Sequence, residues 1–299
     1  MRTLMNLVNA VTSLPGVRAI RPMLVKLQKR RLRGLVLSYY RNTEDPEIRK
    51  IVEYIESHPA LDLEPGTRPL SAAADFARPT DFSVRRDGGC PFPSVIIGKN
   101  RVYFPADFSD AQVQAAVATA CCEAHPESPH AYLSDMFNVD KGDVAVLAGA
   151  SDGIFCLSII ERVARVYLFE PDKRWIEPLG LTLASWKDKV NIVPLFLGNK
   201  DGDGWTSLDR YLANKEQVVN YLQADVEGGE TDVLQGAREI LRKSRPVRVS
   251  ICCYHKSGDQ AQLSSLLTTL GFEIAYSPGY YLQYREPYLR RGVIRARKA

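Results

Sequence analysis

Val144-Ala145-Val146-Leu147-Ala148-Gly149-Ala150-Ser151-Asp152-Gly153, carried on to Phe169-Glu170-Pro171-Asp172, decides the fold. The first five residues are an unbroken apolar run, which predicts a short buried strand. The stretch 149–153 breaks it with two glycines. Apolar residues return at helical spacing (Ile154, Leu157, Ile160, Val163), which predicts a helix over 154–163. Residues 165–169 read as a second strand that closes on Glu170. Two parallel strands joined by a helix form a βαβ unit, and its first turn is where such sheets bind a ligand. Small residues there let backbone N–H groups approach, and a helix N-terminus favours a carboxylate or phosphate. An acid closing the second strand can accept both hydroxyls of a ribose. The stretch therefore predicts a nucleoside-containing cofactor. A dinucleotide fingerprint needs a third glycine at position 156, where the chain has Cys156. The spacing suits S-adenosylmethionine better than NAD.

The totals set the frame. With 299 residues and 45% apolar content, the chain can bury a substantial core in one large domain or two smaller ones. Net charge is +4, but residues 1–43 hold nine Lys or Arg and no acid. Subtracting that +9 leaves −5 on residues 44–299, so the basic character is an arm and the body is mildly acidic. Such a body lacks the basic face a nucleic-acid binder needs. The six cysteines form no Cys-x-x-Cys pair and sit among apolar residues, which reads as buried thiols in a reducing, cytoplasmic compartment. The four histidines are scattered without ligand spacing, so no metal site is expected. No apolar run approaches a membrane span, and no signal peptide is evident at the first residues.

Three regions are expected: a basic amphipathic arm (1–43), a helical and β-hairpin region (44–127) and a cofactor-binding domain (128–299). The arm's apolar stretches 4–14 and 24–37 are crowded by Lys26, Lys29, Arg30, Arg31 and Arg33, a pattern that suits peripheral contact with an anionic membrane face. Asp45-Pro46 starts a helix with Ile48, Ile51, Val52 and Ile55 on one face. His58 at its end reads as structural. Residues 60–92 are irregular. A hairpin is expected around 98–101, then a helix capped by Ser109 or Asp110 with Val113, Ala116, Val117, Ala120 and Cys121 on one face. Beyond the opening unit, a helix (175–186), a strand (190–197), a short helix (206–212) and a strand (218–226) follow. Then come a helix with Val233, Leu234, Ala237, Ile240 and Leu241 inward, a strand (247–253), a helix (260–270) and strands at 272–276 and 292–296. Strands alternating with helices imply an α/β fold with a mostly parallel sheet covered on both faces. The last two strands lack a helix between them, so one is antiparallel.

Ligands bind outside the carboxyl ends of such strands. Those ends carry the 149–153 turn, Glu170, Asp225 with Glu227, and His255. Around them lie Ser128-Pro129-His130-x-Tyr132, Thr206-Ser207-Leu208-Asp209, Asp225-Val226-Glu227-Gly228-Gly229-Glu230 and Ile251-Cys252-Cys253-Tyr254-His255-Lys256. In order and spacing these pieces, with the 148–153 turn and Phe169-Glu170-Pro171-Asp172, resemble the FkbM-type S-adenosylmethionine-dependent methyltransferases over 128–296. The resemblance implies the class I methyltransferase (Rossmann-like) fold. It implies that Gly149, Ala150, Ser151, Asp152 and Gly153 pass along the cofactor and that Glu170, next to Pro171, holds its ribose. It also implies that Asp225 and Glu227 line the methyl-transfer cleft and that His255 faces the acceptor. His255 is the expected base, with Asp225 second, and His130, Tyr254 and Glu227 are expected substrate contacts. Two positions depart from the family pattern: Leu147 stands where Asp is usual, and Gln223 where Lys is common. The expected activity is O-methylation of a sugar hydroxyl in a glycan or lipid-linked precursor. The alternative is a catalytically silent member of the fold that binds a glycan or partner protein.

Overall fold

The computed structural model describes residues 21–59, 69–70, 82–215, 218–283 and 289–299. The arm's first apolar stretch and most of the 60–92 connection lie outside them. The described chain opens with helix α1 (Arg21–Tyr39) and helix α2 (Pro46–Ser57), the latter capped by the Asp45 carboxylate on the N–H groups of Glu47 and Ile48. Strand β1 (Pro69–Leu70) precedes the hairpin β2 (Ser94–Ile97) and β3 (Asn100–Tyr103). Ser109 and Gln112 form a reciprocal cap on α3 (Asp110–Glu123). Then come β4 (Val144–Ala148), α4 (Ile154–Ile159), β5 (Arg165–Phe169), α5 (Lys173–Thr182) and β6 (Val190–Val193). A short pair, β7 (Phe196–Leu197) and β8 (Trp205–Thr206), leads to α6 (Leu208–Leu212) and β9 (Tyr221–Ala224). Helices α7 (Glu230–Gly236) and α8 (Arg238–Lys243) are followed by β10 (Val247–Cys252) and α9 (Asp259–Thr269). The chain ends with β11 (Glu273–Tyr276), β12 (Tyr280–Leu282), β13 (Leu289–Arg290) and β14 (Val293–Lys298).

The central sheet runs β6-β5-β4-β9-β10-β14-β11. Its first five strands are parallel, and β14 is antiparallel to both β10 and β11. Counting only these strands in chain order gives 3-2-1-4-5-7-6 with the seventh reversed, the class I methyltransferase fold. The winding reverses between β4 and β9, so a crevice opens outside their carboxyl ends. Side chains alternate across the sheet. Val146 and Ala148 face a core built with α6, α7, α8 and α9, while Ala145 and Leu147 face one built with α3, α4, α5 and the hairpin. Helices α1 and α2 pack away from both, on β12.

Several element ends differ from the sequence reading for tertiary reasons. The first crossover helix stops at Ile159, not Val163: the Ala164 N–H pairs with the Asp143 carbonyl as the chain turns into β5, and the Lys189 ammonium takes the carbonyls of Ile160 and Val163. The strand expected at 190–197 breaks at Pro194, which has no N–H for the ladder; its second half pairs with β8 instead. The strand at 218–226 is confined to Tyr221–Ala224. The helix after it divides at Ala237. Cys122, not Cys121, is the buried thiol of α3. The β1-β12-β13 sheet had no alternating pattern to announce it.

Candidate active site

Gly149 has φ +81°, and a Cβ there would sit 1.9 Å from the Asp225 carbonyl oxygen. Only glycine lets the ends of β4 and β9 come this close. Its N–H donates to the Phe169 carbonyl, and the Asp225 N–H donates to the Ala148 carbonyl, both at 3.0 Å. Three strand ends are thus tied together at the crevice floor. Gly153, at φ +76°, lets the turn close on α5, where a Cβ would meet Leu179 at 2.9 Å. Ser151 lies between them at φ +44°, and its N–H donates to Glu170 Oε2 at 2.8 Å. The Asp172 N–H donates to the other oxygen of Glu170 at 2.9 Å. Burial raises the Glu170 pKa, and these two hydrogen bonds oppose the rise. The Asp152 carboxylate accepts from the Ile154 N–H and is pushed up to about 6, chiefly by burial.

Asp225, just past β9, joins two imidazoles. Its Oδ2 accepts from His130 Nε2 and from the Tyr132 hydroxyl, each at 3.0 Å. Its Oδ1 lies 3.4 Å from His255 Nε2. His130 Nδ1 lies 3.3 Å from Glu123 Oε2, and His255 Nδ1 donates to Glu230 Oε1 at 2.8 Å. The result is a row of acid, imidazole, acid, imidazole, acid. Burial alone would raise the Asp225 pKa; the His130 hydrogen bond and the charges of both imidazoles hold it down at about 2. Burial opposes charging His255, but the Glu230 and Asp225 carboxylates reverse that and its pKa is raised. His130 shows the same balance more strongly. Burial lowers its pKa, yet Tyr281, Cys252, Glu123 and Asp225 together lift it well above the ordinary value.

The structure brings most of the residues singled out in the sequence into one crevice, but His255 is not among its lining residues and stands behind Asp225 and Glu227. Gly149, Ala150, Ser151, Asp152, Glu170 and Pro171 line one half of a cavity of about 900 Å³; Asp225, Glu227, His130 and Tyr254 line the other. Gly153 stands behind that wall and serves packing. His130 is buried beneath Asp225 rather than at the mouth, whereas Glu227 is 92% exposed, 3.8 Å from His255 Nε2. Tyr254 stacks on Tyr281 and meets the His255 ring at a tilt. Leu147 and Gln223 pair across the β4–β9 ladder, and both are buried. Among the described residues, two triplets hold metal-ligand atoms within 4.8 Å, His130–Asp225–Cys252 and Asp225–Glu230–His255, so the fold gathers groups that are scattered in sequence. Glu123 and Tyr132 were not assigned roles from sequence. Tyr132 lay in a quoted motif; Glu123, at the end of a helix, carried no signal. Glu230 could have been found as the final acid of Asp-Val-Glu-Gly-Gly-Glu. The stacked Phe196 and Trp205 rings at the cavity edge were also missed.

Residues 205–275 match the family model of the methyltransferase FkbM domain. The chain is FkbM-like over this segment. It contains Asp225, Glu227, Glu230, Tyr254 and His255, while the glycine turn and Glu170 lie before it. No curated protein matches the sequence. Among solved structures, the methyltransferase FkbM from Methylobacillus flagellatus KT is 19% identical with a TM-score of 0.46, over 63% of this chain. This chain spans 55% of that protein's length. Magnesium protoporphyrin IX methyltransferase from Synechocystis PCC 6803, solved with bound S-adenosylmethionine, is 12% identical with a TM-score of 0.41, over 64% of this chain and 86% of that one. The C-terminal domain of precorrin-6Y C5,15-methyltransferase from Rhodobacter capsulatus is also 12% identical, with a TM-score of 0.38, over 54% and 84% of the two chains.

Proposed function

We propose that the chain is an S-adenosylmethionine-dependent O-methyltransferase acting on a neutral hydroxyl, a sugar hydroxyl of a glycan or lipid-linked precursor being the favoured acceptor. The observation that carries this reading is the pairing, in one cavity, of the Glu170-closed glycine turn with Asp225, which is backed by His255 and Glu230 behind the cavity lining. The donor set fits the cofactor. Glu170 has two backbone donors and keeps acceptor capacity for ribose hydroxyls. The cleft's carboxylates Asp152 and Asp225 suit a cationic ligand. When bound, the cofactor supplies a methyl group already activated by a sulfonium charge.

The chain's own residues then have two tasks. One is to hold the acceptor oxygen in line, which by itself lowers the barrier by several kcal/mol. The other is to remove the hydroxyl proton. Glu230 fixes the His255 ring by taking Nδ1–H, so Nε2 is left to accept that proton. Asp225, at about 2, is too weak a base for the same task and instead stabilises the imidazolium that forms. Aromatic rings of Tyr132, Phe155 and the Phe196–Trp205 stack offer flat apolar faces of the kind a sugar ring packs on. The test is transfer of labelled methyl from S-adenosylmethionine to a panel of neutral glycans, with the product mapped by mass spectrometry. Label on a sugar oxygen supports the reading. A folded, cofactor-binding protein that labels none of the panel would remove the sugar acceptor. The buried, uncharged Leu147 and Gln223 favour one second reading, a silent member of the fold that binds a glycan or partner protein, which predicts weak or absent cofactor binding by an intact fold.

A further inference from the structure

Helix α1 takes no part in the cleft, and its two sides differ. Leu32, Val36 and the following Tyr40 are buried with Ile51, Val52 and Ile55 of α2 and with Tyr280 and Leu282 of β12. Arg33 reaches the carbonyls of Ile55 and His58 at the end of α2. The helix is therefore fixed to the body along one side. The other side presents Met23, Lys26, Leu27, Arg30 and Arg31, all exposed, with Met23 at 62% and Leu27 at 50%. Residues 21–43 carry seven Lys or Arg and no acid, against a body that is net negative. Bases on one exposed helix face are drawn to an anionic lipid surface, and apolar side chains among them can enter its headgroup boundary.

We propose that this face of α1 docks the protein on an anionic lipid surface. Met23 and Leu27 enter the headgroup boundary, and Lys26, Arg30 and Arg31 meet lipid phosphates and carboxylates. A nucleic acid would satisfy the bases but leave the two apolar side chains in water. Helix α1, whose outer side is the docking face, lies one strand behind the cleft: Tyr280 and Leu282 of β12 pack on α1 and α2, while Tyr281 between them stacks on Tyr254 and meets His130 edge-on. The proposal does not depend on the methyl-transfer reading.

Cosedimentation of the full chain with vesicles tests it, comparing phosphatidylcholine alone with phosphatidylcholine containing phosphatidylserine. Binding is expected to the anionic vesicles alone, and to weaken with added salt. Each base near such a surface is worth roughly fivefold in partitioning, so Lys26→Ala, Arg30→Ala and Arg31→Ala together should cost roughly a hundredfold. Leu27→Ala alone should cost several-fold, and thermal unfolding should be unchanged because these side chains are exposed. Equal binding to both vesicle types, or none by the unaltered protein, would overturn the proposal. So would binding that Leu27→Ala leaves unchanged and single-stranded RNA displaces, which would point to a nucleic-acid partner.

Discussion

Asp225 is where the site's electrostatics meet. It stays ionised although mostly buried because His130, Tyr132 and His255 all face it. Removing His130 leaves that carboxylate with Tyr132 and His255 alone, and the lost charge-assisted hydrogen bond is expected to cost about 2 kcal/mol. Thermal unfolding of His130→Ala should register it. His255→Ala should instead cut turnover by about a hundredfold or more with little change in cofactor affinity, since a general base acts on the chemical step. Equal losses of both would argue against the base role. As a base, His255 works neutral, so turnover should rise with pH through its raised pKa, above the ordinary 6.5. Glu230 is a principal cause of that rise, so Glu230→Gln should move the limb to lower pH. The residues at the strand ends were legible because each sits just past a recognisable strand. The placement of His130 was not, because its partner Asp225 lies 95 residues away in sequence.

At the scale of elements, the glycine turn is set by backbone contact as much as by ligand. Gly149→Ala would place a Cβ against the Asp225 carbonyl at a left-handed φ. A loss of more than about 2 kcal/mol is expected from strain and clash together. The measurement is chemical denaturation, and cofactor binding should fall with it. Strands β4 and β5 matched the sequence reading to the residue, since short apolar runs bounded by turn residues leave little freedom. Helix α4 did not. Its periodicity continues to Val163, but the Ala164 N–H goes to the Asp143 carbonyl and the Lys189 ammonium caps the carbonyls of Ile160 and Val163. Local pattern cannot report such a cap. The break at Pro194 was visible in the sequence and should have divided the strand.

For the molecule as a whole, alternation of strands and helices was enough to foresee a mostly parallel sheet, and the missing final helix foretold the reversed strand. The small sheet that carries Tyr281 to the site had no such signature, so the link between the basic helix and the catalytic wall appeared only in three dimensions. Charge is also organised at this scale, with an arm that carries bases and no acid and with carboxylates in the cleft. This cleft is expected to take S-adenosylmethionine despite Leu147 and Gln223. Calorimetric titration of the folded protein with S-adenosylmethionine, S-adenosylhomocysteine and NAD tests it most directly. Micromolar binding of the first two and none of NAD is expected; no binding of either sulfur compound would contradict the account and make Leu147→Asp the next protein to measure.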